Sequence, residues 1–122
     1  MNVIILIIGK FFVNEADMKP NEQKLQELAE RIVDAVHPLR IVLFGSAARG
    51  EMGPNSDLDV LVVMPEGVHK RKTAQLIYRH LLGFGFATDV IVATENDLRK
   101  YGDNFSLVYY PALREGREIY AN

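Results

Sequence analysis

The sequence predicts an α+β fold: a small mixed β-sheet with helices packed on one face. Three observations predict it. Apolar residues recur at helical spacing between residues 25 and 36. Short β-branched runs follow at 40–44, 57–64 and 87–93, each bounded by Gly, Pro or polar residues. The chain has 122 residues, 48% hydrophobic and 25% charged, which suits one domain with a substantial core.

The elements follow in order. Residues 1–18 form an apolar extension, with Val3 to Ile8 and then Phe11-Phe12-Val13. The run lacks the basic region of a signal peptide, and Gly9-Lys10 interrupts it. It reads either as an extra strand or as a misassigned start, with Met18 as the native initiator. The domain proper is expected over 19–122. Pro20 and Asn21 open a helix whose inward stripe is Leu25, Leu28, Ala29, Ile32, Val33 and Val36. His37-Pro38 ends it, because the residue before proline avoids the α region. Arg40 to Phe44 is a buried strand. Gly45 to Ser56 is a polar loop with one helical turn near Ala47-Ala48-Arg49.

Asp57 to Met64 is a second strand, stopped by Pro65-Glu66-Gly67. Lys70 to Leu82 suits a helix with Ala74, Ile77, Tyr78 and Leu81 inward, ended by Gly83 and Gly85. Ala87 to Ala93 is a third strand, and Thr94 caps a short helix from Glu95 to Tyr101. Asp103 to Glu115 reads as helical with a break at Pro111. Glu118-Ile119-Tyr120 reads as a short last strand.

Composition excludes several function classes. Fourteen Lys+Arg against sixteen Asp+Glu give a net charge of −2, unlike the basic balance of a general nucleic-acid-binding protein. With no cysteine, disulfide scaffolds, thiolate zinc sites and cysteine nucleophiles are out. No stretch reaches 18 apolar residues, so no transmembrane helix is expected. A cytoplasmic location is the expectation.

The chemistry concentrates between residues 43 and 60. Side chains alternate along a strand, so Asp57 and Asp59 share one face while Leu58, Val60 and Val62 point to a core. Two carboxylates on one face of a buried strand repel and resist desolvation. Cations between them resolve the conflict. Oxygen-only ligands suit Mg²⁺, which takes one or two carboxylates together with substrate phosphates. Two such ions can clamp the attacking and leaving oxygens of an in-line displacement.

Asp89 interrupts the third β-branched run. It joins the cluster if that strand lies beside the second, as a metal ligand and orienter or as a base for an incoming hydroxyl. Gly45-Ser46 follows a strand, where glycine allows close approach of a phosphate to the backbone. Arg49 offers a forked phosphate partner.

These residues resemble the minimal nucleotidyltransferases, small members of the DNA polymerase β-like superfamily. The family pattern is Gly-Ser, ten residues, then Asp-x-Asp. Here Gly45-Ser46 is followed by Ala47 to Ser56 and then Asp57-Leu58-Asp59. The fuller pattern with Arg49-Gly50 and Ser56 is present too, Asp89 matches the third family aspartate, and Leu113 to Tyr120 resembles the family's usual ending. Four fixed positions arise by chance about once in 10⁵ placements, so some hundred placements make coincidence improbable.

The resemblance implies the polymerase β-like nucleotidyltransferase fold and a Mg²⁺-dependent transfer of a nucleoside monophosphate, most simply AMP from ATP. It implies two Mg²⁺ ions on Asp57, Asp59 and Asp89, and nucleotide binding by Gly45, Ser46, Arg49 and Ser56. Many short members pair with a HEPN-domain protein as toxin and antitoxin, and some adenylylate that toxin on tyrosine. A chain this small has little left to enclose an acceptor, so a partner chain or a second copy is expected to supply the other wall. The alternative is a non-catalytic antitoxin that neutralises its partner by contact. His69-Lys70-Arg71-Lys72 reads as a solvated helix start, with an acidic partner or phosphates as the other option. His37 and His80 read as structural, and Tyr101, Tyr109, Tyr110 and Tyr120 as packing residues.

Overall fold

The computed structural model describes residues 20–50, 57–101 and 116–122. The apolar extension, Ser56 and the expected helix at 103–115 lie outside the described residues. Helix α1 (Pro20–Val36) leads into strand β1 (Arg40–Phe44) and a 3₁₀ turn (Gly45–Arg49). Strand β2 (Leu58–Met64), helix α2 (Lys70–His80), strand β3 (Thr88–Thr94), helix α3 (Glu95–Tyr101) and strand β4 (Arg117–Ala121) complete the described chain.

The four strands form one mixed sheet in the order β3-β2-β1-β4. β1 runs antiparallel to β2 and β4, and β2 runs parallel to β3. The parallel pair is joined through α2, as a parallel connection requires a crossover. The main core lies between the sheet and the two longer helices. It joins Leu25, Leu28 and Ile32 of α1 and Ile77 of α2 to Leu58, Val60 and Val62 of β2. On the other face Leu61 and Val63 are buried with Val42 and Ala93, and Leu98 of α3 packs there. The helices on one face are thus the expected ones, with α3 adding a contact on the other.

Local chemistry explains the boundaries. His37 ends α1 in the left-handed region, at φ 49°, and its N–H still donates to Val33 O at 3.0 Å. That conformation closes the helix where a glycine commonly would. Thr94 and Asp97 form a reciprocal cap on α3: Asp97 N donates to the Thr94 hydroxyl, and Thr94 N donates to the Asp97 carboxylate. Arg117 of β4 grips Glu22 of α1 with two hydrogen bonds, of 2.8 and 3.1 Å. Lys24 donates to Phe84 O at 2.8 Å and sits over the Phe84 ring, fastening the chain after α2 to α1.

One inward assignment is corrected. Ile77 is buried and Ala74 and Leu81 partly so, but Tyr78 is 44% exposed. Its hydroxyl accepts from Val90 N at 2.9 Å. β3 is an edge strand, and an edge strand's outward N–H needs a partner. Tyr78 is drawn to that edge rather than into the core.

Candidate active site

The site stands where β1 leaves the sheet and β2 enters it. Phe44, the last residue of β1, pairs with Asp59 of β2. The chain then turns at Gly45 in the left-handed region, at φ +74°. A β-carbon built on Gly45 would lie 2.6 Å from Asp59 Oδ2. The carboxylate of Asp59 therefore rests against the bare α-carbon of Gly45, and only glycine satisfies both the backbone and the contact. Buried Ala47 holds the following turn on the core, and Arg49 stands exposed at its end.

β2 and β3 bring the second carboxylate in. Their parallel register pairs Asp59 with Asp89. Neighbouring strands lie about 4.8 Å apart, and register partners project to the same face. Asp57, one residue before β2, is two residues from Asp59 and shares its face. The consequence appears at Asp59. Partial burial pushes its carboxyl above the usual carboxylate range, and the charges of Asp89 and then Asp57 push it further. Among the described residues no Lys, Arg or His forms an ion pair with any of the three.

That unbalanced negative charge, carried by oxygen ligands alone, fits a hard divalent cation. Among the described residues no group of three or more His, Asp or Glu side chains is placed to hold a metal ion. A site of one or two carboxylates is the kind Mg²⁺ uses, since it completes its shell with water and substrate phosphate.

The structure sets Gly45 against Asp59, pairs Asp59 with Asp89 across the β2–β3 ladder and leaves Asp57 one residue before β2. Ser46 lies within the turn after Gly45, and Ser56 is outside the described residues. Two features escaped the sequence reading. Gly45 was expected to admit phosphate, but it also seats Asp59. Tyr78 was expected in the core, yet it braces the strand residue beside Asp89. Neither carries a local signal, since each depends on which strands become neighbours.

Residues 22–113 match the family model described as a nucleotidyltransferase domain. The chain belongs to that family. Several solved structures share the fold of this nucleotidyltransferase domain. A toxin–antitoxin crystal structure with AMP-PNP is 20% identical, with a TM-score of 0.56 over 84% of this chain and 74% of that one. A toxin–antitoxin structure, MntA-HpeT, carrying two aspartate-to-glutamate substitutions is 15% identical, with a TM-score of 0.58 over 80% and 73% of the two chains. A Sulfolobus solfataricus structure provisionally named a nucleotidyltransferase is 18% identical, with a TM-score of 0.53 over 88% and 93%. No curated protein matches the chain. Among the described residues no helix is long and apolar enough to cross a membrane.

Proposed function

We propose that this nucleotidyltransferase transfers AMP from ATP to a hydroxyl of a partner protein and so acts as the antitoxin of a toxin–antitoxin pair. The proposed partner is a HEPN-domain toxin, the proposed acceptor one of its tyrosines, and the proposed location the cytoplasm. The observation that carries the reading is the placement of Asp59, seated on Gly45 and flanked by Asp89 and Asp57. The neighbours lend support. One toxin–antitoxin structure contains AMP-PNP, and the other was changed at two aspartates two positions apart, the spacing of Asp57 and Asp59.

In this reading Asp57, Asp59 and Asp89 hold two Mg²⁺ ions. Bound there, the ions would neutralise triphosphate charge and stabilise the attacking and leaving oxygens. Gly45, Ser46, Ser56 and Arg49 hold the β- and γ-phosphates. Asp89, exposed on the edge strand, orients the acceptor hydroxyl and takes its proton. The acceptor oxygen bonds to the α-phosphorus, the bond from that phosphorus to the bridging oxygen breaks, and pyrophosphate leaves. The chain's main contribution is positioning and fixed charge.

Transfer of label from α-³²P-ATP tests the reading. The chain is mixed with Mg²⁺ and the protein encoded beside it, and the Asp57→Asn/Asp59→Asn variant is run in parallel. Label on the partner with wild type alone is expected. Neutralisation of the partner by both chains without label would instead establish an antitoxin that works by contact.

A further inference from the structure

Helix α2 combines two features that neither the fold nor the transfer reaction requires. The first is charge. Four of the fourteen basic residues lie in Lys70–His80, and none of the sixteen acidic ones does. Three of the four, Lys70, Arg71 and Lys72, occupy the first turn, where the helix dipole disfavours cations. Lys70 is drawn to Asp97, but among the described residues no carboxylate pairs with Arg71, Lys72 or Arg79. A local choice that opposes helix stability points to a role outside the fold.

The second feature is apolar exposure. The exposed large hydrophobics among the described residues are Leu76, Tyr78 and Leu82, at 39%, 44% and 75%. All three stand on α2 or just beyond its end. Leu76 lies one turn from Lys72 on one side and one turn from Arg79 on the other. A shallow cavity of about 300 Å³ is lined by Lys72, Gln75, Leu76 and Arg79. An apolar centre framed by cations is the pattern of a protein interface.

We propose that the outer face of α2 is a docking surface for a partner protein that presents acidic residues around an apolar centre. Charge selects this occupant. A second copy docking face to face would oppose one basic helix to another. A nucleic acid would meet a chain of net charge −2 and would leave Leu76 and Leu82 without an apolar counterpart. The inference rests on the proposed reaction for its choice of partner. Tyr78 joins α2 to the β3 edge at Val90, while α2 packs on the sheet face opposite Asp59 and Asp89, so the surface is separate from the transfer site.

Titration calorimetry of the full chain with the protein encoded beside it tests the surface. Lys72→Glu/Arg79→Glu is expected to weaken the dissociation constant at least tenfold, and Leu76→Ala several-fold. Unchanged melting temperatures would show that both variants fold. Asp57→Asn/Asp59→Asn should bind like wild type while losing label, so docking and transfer are read apart: binding by wild type without label sinks the reaction and keeps the surface. Binding by the charge-reversed variant within twofold of wild type would overturn the docking proposal. So would no binding by wild type, self-association lost in the same variant, or a single-stranded RNA binding as tightly as the protein.

Discussion

Strand β2 presents two chemistries on alternate residues. Leu58, Val60 and Val62 are fully buried and join the core beneath α1 and α2. Asp59 takes the opposite face, with Asp57 before it and Asp89 beside it. The other face is divided along its length: Leu61 and Val63 are buried beside Leu98 of α3, and only the Asp57–Asp59 end opposes the fold. Burial of the first set stabilises by about 1.5–3 kcal/mol per side chain. The second set concentrates like charge, which a folded chain tolerates only when ligands or a rigid frame compensate. A period of two lets both demands share one strand without compromise.

The largest effect comes from exchanging the two chemistries. Val60→Asp places a carboxylate in the core and should leave no cooperative melting transition, as read by calorimetry. A folded Val60→Asp chain would mean that the inner face of β2 is not essential. Next is Asp59→Asn, for which a loss of at least ~10³ in transfer rate is expected. The same variant should melt higher than wild type in the absence of metal, because it removes the charge that Asp89 and Asp57 oppose. Lower activity together with lower stability would remove the contrast between the faces.

Gly45→Ala sharpens the comparison, because it perturbs the polar face through the backbone. It forces a left-handed alanine and a clash with Asp59. A destabilisation of about 1–2 kcal/mol is expected, with a fall in transfer rate on the order of 10² that raising Mg²⁺ does not repair.

The smallest effect is a pH dependence, and two aspartates supply opposite signs. Asp59 has a raised folded-state pKa, so the folded chain binds its proton more tightly than the unfolded chain. Its contribution turns unfavourable as pH rises from the ordinary carboxylate range through the raised value. Asp97 is the reverse. Burial pushes it up, but hydrogen bonds from Lys70 and Thr94 outweigh this and hold it below the ordinary range. Its contribution is present at neutral pH and fades as pH falls. Melting curves of wild type and Asp59→Asn should converge at acid pH and separate towards pH 7, with the variant above. For Asp97→Asn the variant should lie below wild type at pH 7 and meet it in acid.

Much of this contrast was legible in the sequence. The stripe Leu25 to Val33 announced α1 through its period, and the alternation from Asp57 to Val60 placed carboxylates and aliphatics on opposite faces. Thr94 announced α3, although its reciprocal partner Asp97 was not anticipated. Strand order was not legible, because pairing across the sheet is decided by packing between distant segments. The pairing of Asp59 with Asp89 was foreseen only as a condition on that order. For the same reason the seat of Asp59 on Gly45, fourteen residues earlier, and the reach of Tyr78 to Val90 were missed. Each is a contact between elements, and periodicity describes one element at a time.

The Asp57–Asp59 end of β2 is held to be a nucleotide–metal site maintained against the stability of the metal-free chain. Thermal melting tests this most directly, with ATP and Mg²⁺ against ATP and EDTA, in wild type and Asp59→Asn. Wild type should gain clearly more from ATP with Mg²⁺, and the variant, already higher without ligand, should gain no more than with EDTA. Equal gains for wild type in both conditions would contradict the site.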